Sequence, residues 1–134
     1  MGVDLGSVRI GVAVSDADRK VASPIDTIER NNDVPGSHRA IRALLLEWEA
    51  DVLVVGLPLS LDGSDGPAAR SARREAAALE ELLGTPVELH DERLTTVTAD
   101  RILMEQNMDA KARRKVVDQV AASIMLQAWL DGQS

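Results

Sequence analysis

The chain has 134 residues, with 15 Lys and Arg against 22 Asp and Glu, a net charge of −7, and no cysteine. Disulfides, thiolate metal sites and a cysteine nucleophile are therefore excluded, and the length suits a single domain over residues 1–134 with one hydrophobic core. With no Phe or Tyr, and Trp48 and Trp129 as the two Trp residues, the core must be aliphatic, and base stacking on aromatic platforms has almost nothing to work with.

The elements in chain order begin with Gly2–Leu5 as a short strand and Gly6-Ser7 as a turn. Arg9–Ser15 (RIGVAVS) alternates in polarity and reads as the second strand of a hairpin. Val21–Ile28 is a weaker third strand, broken by Pro24. Ser37 is placed as the N-cap of a helix to about Glu49, with Ile41, Leu44, Leu45 and Trp48 at helical spacing. Asp51–Leu57 (DVLVVGL) is nearly continuous apolar sequence, as in a central strand covered on both faces. Pro58–Gly66 is a loop. Pro67 opens a second helix to Leu83, which Gly84 ends. Val87–Asp91 is a fifth strand, Thr95 or Thr96 caps a third helix to about Asn107, and the last helix runs from about Ala112 to Asp131.

The order β-β-β-α-β-α-β-α-α predicts an α/β fold, a five-stranded mixed sheet with helices on both faces. A hairpin before the first crossover argues against a pure Rossmann sheet. It matches the ribonuclease H-like arrangement, in which the first strand is central and the fourth lies beside it.

Acids stand out at three places. Asp4 sits within a strand, where a carboxylate is costly unless paired or bound to a cation, although a turn-initiating role is an equal reading. Asp91 and Glu92 end the fifth strand, where a solvated strand end is the simpler account. Asp118 lies at the margin of an apolar helix face formed by Val117, Val120, Ala121, Ile124, Met125 and Ala128, in line with Ala122, Met125 and Trp129, and so is aimed toward the sheet. Clustered carboxylates repel unless a cation intervenes. Oxygen ligands without His or Cys favour Mg²⁺ or Mn²⁺, and two such ions ~3.5–4 Å apart support in-line phosphoryl displacement. Basic residues lie near these acids: Arg9 after the first turn, Arg93 beside Glu92, and Arg114 and Lys115 just before Asp118. The loop containing Ser60 delivers a helix N-terminus suited to phosphate. Arg70, Arg73 and Arg74 read as solvated charge, and His38 and His90 as surface residues.

Four segments, VDLGSVRIGVAVSD at 3–16, VVGLPLSLDGSDGP at 54–67, DERLTT at 91–96 and KVVDQVAASIMLQAWLD at 115–131, resemble the YqgF/RuvX family. The resemblance spans nearly the whole chain. It implies a ribonuclease H-like fold and a metal-dependent nuclease whose acids are Asp4, Glu92 and Asp118, holding Mg²⁺ or Mn²⁺, two ions by expectation. It also implies a nucleic-acid substrate, pre-16S ribosomal RNA first and branched DNA second, gripped by Arg9, Ser60, Arg93, Arg114 and Lys115. Two readings from other classes stay open. Asp4-Leu5-Gly6-Ser7 also resembles the phosphate-binding opening of actin-like ATPases, which need two domains to enclose a nucleotide. A non-catalytic RNA-binding module is the other. No stretch reaches the ~20 apolar residues of a membrane span, so the expected compartment is the cytoplasm, with the chain as monomer or homodimer.

Overall fold

A computed structural model describes residues 1–93, 101–102, 104–105 and 110–133, with the backbone alone described at 110–112, 114 and 115. The elements are β1 (Gly2–Leu5), β2 (Arg9–Ser15), β3 (Ala22–Glu29), α1 (Val34–Glu47), β4 (Leu53–Leu57), α2 (Pro67–Leu83), β5 (Val87–Asp91) and α3 (Ala110–Gly132). The helix expected between Thr95 and Asn107 falls largely outside the described residues.

The five strands form one sheet in the order β3-β2-β1-β4-β5. The β1–β2 and β2–β3 pairs are antiparallel, and β1–β4 and β4–β5 are parallel. The first strand is thus central with the fourth beside it, as expected. Alternation along the strands sorts side chains between two layers. Val3, Ile10, Val12, Leu53 and Val55 face Ile41 and Leu45 of α1 and Leu79 of α2. Ala13 and Val54 face Ala122, Met125, Leu126 and Leu130 of α3. Among the described residues, no helix is long and apolar enough to cross a membrane.

Four local expectations need correction. Pro24 does not break β3, because β3 is an edge strand and proline is tolerated where a ladder donor is not required. Helix α1 is capped by Asp33, whose side chain accepts from the Gly36 N–H at 2.9 Å, with Pro35 in the first turn. Ser37 is instead buried inside the helix and donates to the Val34 carbonyl at 2.7 Å. Trp48 is the C-cap and is 50% exposed, because Glu49 adopts a left-handed backbone (φ 52°) that ends the helix. On α3 the buried stripe is Ala121, Ala122, Met125, Leu126 and Leu130, whereas Ala128 is exposed. That helix carries apolar residues on most of its circumference, so periodicity alone left the buried face undetermined.

His38 is not a surface residue. It is buried, and its Nε2 lies 2.7 Å from Glu75 Oε2. The same carboxylate takes two hydrogen bonds from Arg30, at 2.7 and 3.0 Å. Burial pushes the Glu75 carboxyl up, but the Arg30 and His38 hydrogen bonds and the Arg30 charge outweigh it and leave it below the usual range. This triad ties the end of β3 to α1 and α2. The chain reaches it through Asn31 and Asn32, both in the left-handed region that asparagine tolerates.

Removing one partner of a buried ion pair strands the other charge. Glu75→Ala is therefore expected to cost about 3–5 kcal/mol in urea unfolding. Arg30→Met combined with Glu75→Leu should recover most of that loss. A Glu75→Ala protein as stable as the wild type would show that the triad holds nothing together.

Candidate active site

Asp4 lies on central strand β1 and is 9% exposed. Its partner across β2 is Gly11. Across β4, Val3 pairs with Val55, and the next positions along the two strands are Asp4 and Gly56. The two glycines let other parts of the chain come close to Asp4. A side chain at 11 would collide with the backbone of Asp118 and Gln119, so Gly11 lets α3 settle directly onto β2. A side chain at 56 would occupy the place of the Glu92 carboxylate.

Glu92 follows β5, two strands away from β1. Its N–H donates to the Leu57 carbonyl at 3.2 Å, which extends the β4–β5 ladder by one residue. From there the side chain crosses over Gly56 and hydrogen-bonds the Asp4 carboxyl. Burial above all pushes the Glu92 carboxyl up to about 9, helped by the Asp4 charge and the Asp4 hydrogen bond. Burial also raises Asp4; the Glu92 hydrogen bond works against this, and the Asp118 charge adds to it. Two carboxyls this close cannot both ionise easily, so the pair holds one proton at neutral pH.

Asp118 reaches the site from α3. Its Oδ2 accepts from Arg9 Nε at 2.9 Å, and both side chains are part-buried. Asp4, Glu92 and Asp118 line one cleft of about 880 Å³, whose far wall carries Arg30, His38 and Glu75. The three predicted acids therefore open on one cavity. Asp4 and Glu92 are joined directly, while Asp118 is held by Arg9. Among the described residues, no group of three or more His, Asp or Glu side chains is gathered as one metal-ligand set.

The predicted cations are placed differently from one another. Arg9 is engaged by Asp118. Arg93 pairs with Asp91, with Nε to Oδ2 at 2.8 Å, and reaches the Leu61 carbonyl. Ser60 is exposed in a loop that bonds to itself, with its N–H on the Ser64 carbonyl and its own carbonyl accepting from Gly63. The side chains of Arg114 and Lys115 lie outside the described residues. The sequence reading missed the Arg30–His38–Glu75 wall and the two glycines. Gly11 was within reach of that reading, because one face of RIGVAVS carries the small residues Gly11 and Ala13 opposite a strand carrying Asp4.

The shared proton gives a pH dependence with a definite sign. The unfolded chain releases the Glu92 proton near 4.5, and the folded chain keeps it until about 9. Its contribution to stability is full at low pH and is lost as pH rises across that window. In chelator, the thermal midpoint of the wild type should fall from pH 5 to 9 more steeply than that of Glu92→Gln. Parallel curves would mean that Glu92 is not protonated in the folded state. Gly56→Ala should flatten the same dependence by displacing Glu92, at an overpacking cost of about 1–3 kcal/mol. A Gly56→Ala curve as steep as the wild type would show that Glu92 does not depend on the space at 56.

The RuvX family, described as Holliday junction resolvase, matches residues 1–132. A protein of Myxococcus xanthus named "Putative pre-16S rRNA nuclease" is 47% identical over 131 residues, which is 98% of this chain and 86% of that one. A Streptomyces coelicolor protein of the same name is 45% identical over 134 residues, covering 99% of this chain and 80% of that one. Among solved structures, the chain is similar to T. thermophilus RuvC in complex with Holliday junction substrate, with a TM-score of 0.58 and 13% identity over 98% of this chain and 92% of that one. This last likeness bears on the fold, which is ribonuclease H-like. With a match that runs almost from end to end, the chain belongs to the RuvX family.

Proposed function

We propose that this protein is a nuclease that hydrolyses a phosphodiester bond in structured nucleic acid at the Asp4–Glu92 pair, with the precursor of 16S ribosomal RNA as its first substrate. The observation that carries the reading is that the Glu92 carboxyl crosses over Gly56 to the buried Asp4, in a cleft that Asp118 also lines. Such a pair is unfavourable as a purely structural feature, since two carboxyls are desolvated and forced together. The names of the relatives direct the substrate choice. The family description and the RuvC fold favour branched DNA as the second reading.

The residues fit a divalent cation. Mg²⁺ is commonly held by one or two carboxylates, with water and substrate phosphate completing its shell, and Asp4 and Glu92 provide those two. Bound there, the ion would polarise the phosphate and lower the pKa of an attacking water. A second ion would draw on Asp118, whose Oδ2 is engaged by Arg9. The chain's own contributions are separable. Burial keeps Asp4 and Glu92 apart from bulk water. Arg9 holds Asp118 at the cleft edge and, when exchanged onto substrate, offers its guanidinium to a phosphate oxygen. In the hydrolysis, the water oxygen bonds to phosphorus, the bond from phosphorus to the 3′ oxygen breaks, and that oxygen takes up a proton. The ends are a 5′-phosphate and a 3′-hydroxyl. Arg93, Arg114, Lys115 and the Ser60 loop are the proposed grip on flanking phosphates, and the cytoplasm is the proposed compartment.

Asp4→Asn preserves shape and removes one charge. On labelled RNA carrying the 16S precursor 5′ region, and on a four-way DNA junction, it should reduce Mg²⁺- or Mn²⁺-dependent cleavage by at least ~10²-fold, the scale of losing one group that stabilises charge at a reacting centre. Faster cutting of the RNA supports the first substrate, and faster cutting of the junction the second. Cleavage that survives both chelation and this substitution would place the chemistry elsewhere.

A further inference from the structure

The catalytic cleft does not end at the Arg30–His38–Glu75 wall. A second cavity of about 550 Å³ shares Val34, His38 and Ala78 with it and continues along the seam between α1 and α2. Its floor is apolar, from Val34, Pro35, Ala78 and Leu82, and its rim carries Arg39 and Arg42. These two lie three residues apart on α1, about one helical turn. Arg74 of α2 lines the cleft where the two cavities meet.

The arginines of this path differ from five others in the fold. Arg9, Arg19, Arg30, Arg73 and Arg93 are each held in an ion pair with a carboxylate. The side chains of Arg39, Arg42 and Arg74 are exposed and, among the described residues, take part in no ion pair or hydrogen bond. On a chain of net charge −7, with acids in excess for such pairing, three unengaged guanidinium groups along one groove leave a local positive track.

We propose that the α1/α2 groove binds a single-stranded run of the nucleic-acid substrate and leads it to the Asp4–Glu92 pair, with Arg74, Arg39 and Arg42 contacting successive phosphates or bases. The proposal rests on the nuclease reading above and adds a binding path to it. Charge complementarity and continuity with the cleft select the ligand. A single strand can turn its bases into the seam, whereas a duplex keeps them stacked inside and presents mainly its backbone. An apolar floor accepts the face of a base or ribose. Guanidinium planes can stack on bases where aromatic residues are missing, as they nearly are here.

The test measures binding, in a Glu92→Gln background so that the probe is not consumed. The probes are a fluorescein-labelled single-stranded RNA of mixed sequence and the same strand annealed into a full duplex. Arg39→Gln combined with Arg42→Gln should make the slope of log affinity against log salt shallower by about 1.4 for the single strand, at ~0.7 per lost phosphate contact, and leave the duplex slope unchanged. Arg19→Gln combined with Lys20→Gln makes the same change in net charge at the β2–β3 turn and should leave both slopes unaltered. An unchanged single-strand slope in the groove variant, or an equal change in the control, would overturn the groove while leaving the nuclease reading intact. Failure of the parent protein to bind RNA or DNA at all would overturn both. A groove variant that shifts the protein from dimer to monomer in sedimentation, with the salt slope unmoved, would make the seam a contact between two copies and overturn the proposal.

Discussion

Asp4 carries its carboxyl on the face of the central strand that packs against α3, where water is largely excluded. That single burial sets the terms for its surroundings. A lone buried carboxylate is costly, and here a second carboxyl that shares its proton offsets part of that cost while adding its own desolvation. The sharing requires Glu92 to cross from two strands away, and the crossing requires the space at Gly56. On the other side, Gly11 admits the α3 backbone, which brings Asp118 and its partner Arg9 to the same cleft. Two missing side chains therefore matter as much to this site as the three acids.

Much of the fold was legible because its elements follow simple rules. The bounds expected for β1, β2, α2 and β5 agree with the structure, since alternation, a proline at the first helical turn and a glycine in the left-handed region (φ 62° at Gly84) are local signals. Less was legible where packing decides. The buried face of α3 could not be read from a helix apolar on most sides, and His38 looked solvent-facing because its partners Glu75 and Arg30 are distant in sequence. The three acids could be named individually, and the family resemblance joined them. The Asp4–Glu92 hydrogen bond depends on strand order and on a gap in a neighbouring strand, which no local pattern encodes.

The arrangement of charge separates two roles for arginine. Some guanidinium groups are spent inside the fold: Arg30 ties α2 to the end of β3 through Glu75, Arg9 holds Asp118, and Arg93 closes onto Asp91. Others are left without carboxylate partners along the α1/α2 seam. This division explains how an acidic protein can serve a polyanionic substrate, since net charge governs long-range repulsion while local clusters govern where a phosphate can settle. It also distinguishes the end of the cleft lined by the acids from the α1/α2 end, which adjoin at the wall formed by Arg30, His38 and Glu75.

A cation site at the Asp4–Glu92 pair, its negative charge held in check by a proton until an ion arrives, is the proposal on which the nuclease mechanism turns. Anomalous diffraction from crystals soaked in Mn²⁺ tests it most directly. An anomalous peak is expected between the Asp4 and Glu92 carboxylates, with their mutual hydrogen bond broken. Saturating Mn²⁺ with no peak there, and the two carboxyls still bonded to each other, would contradict it.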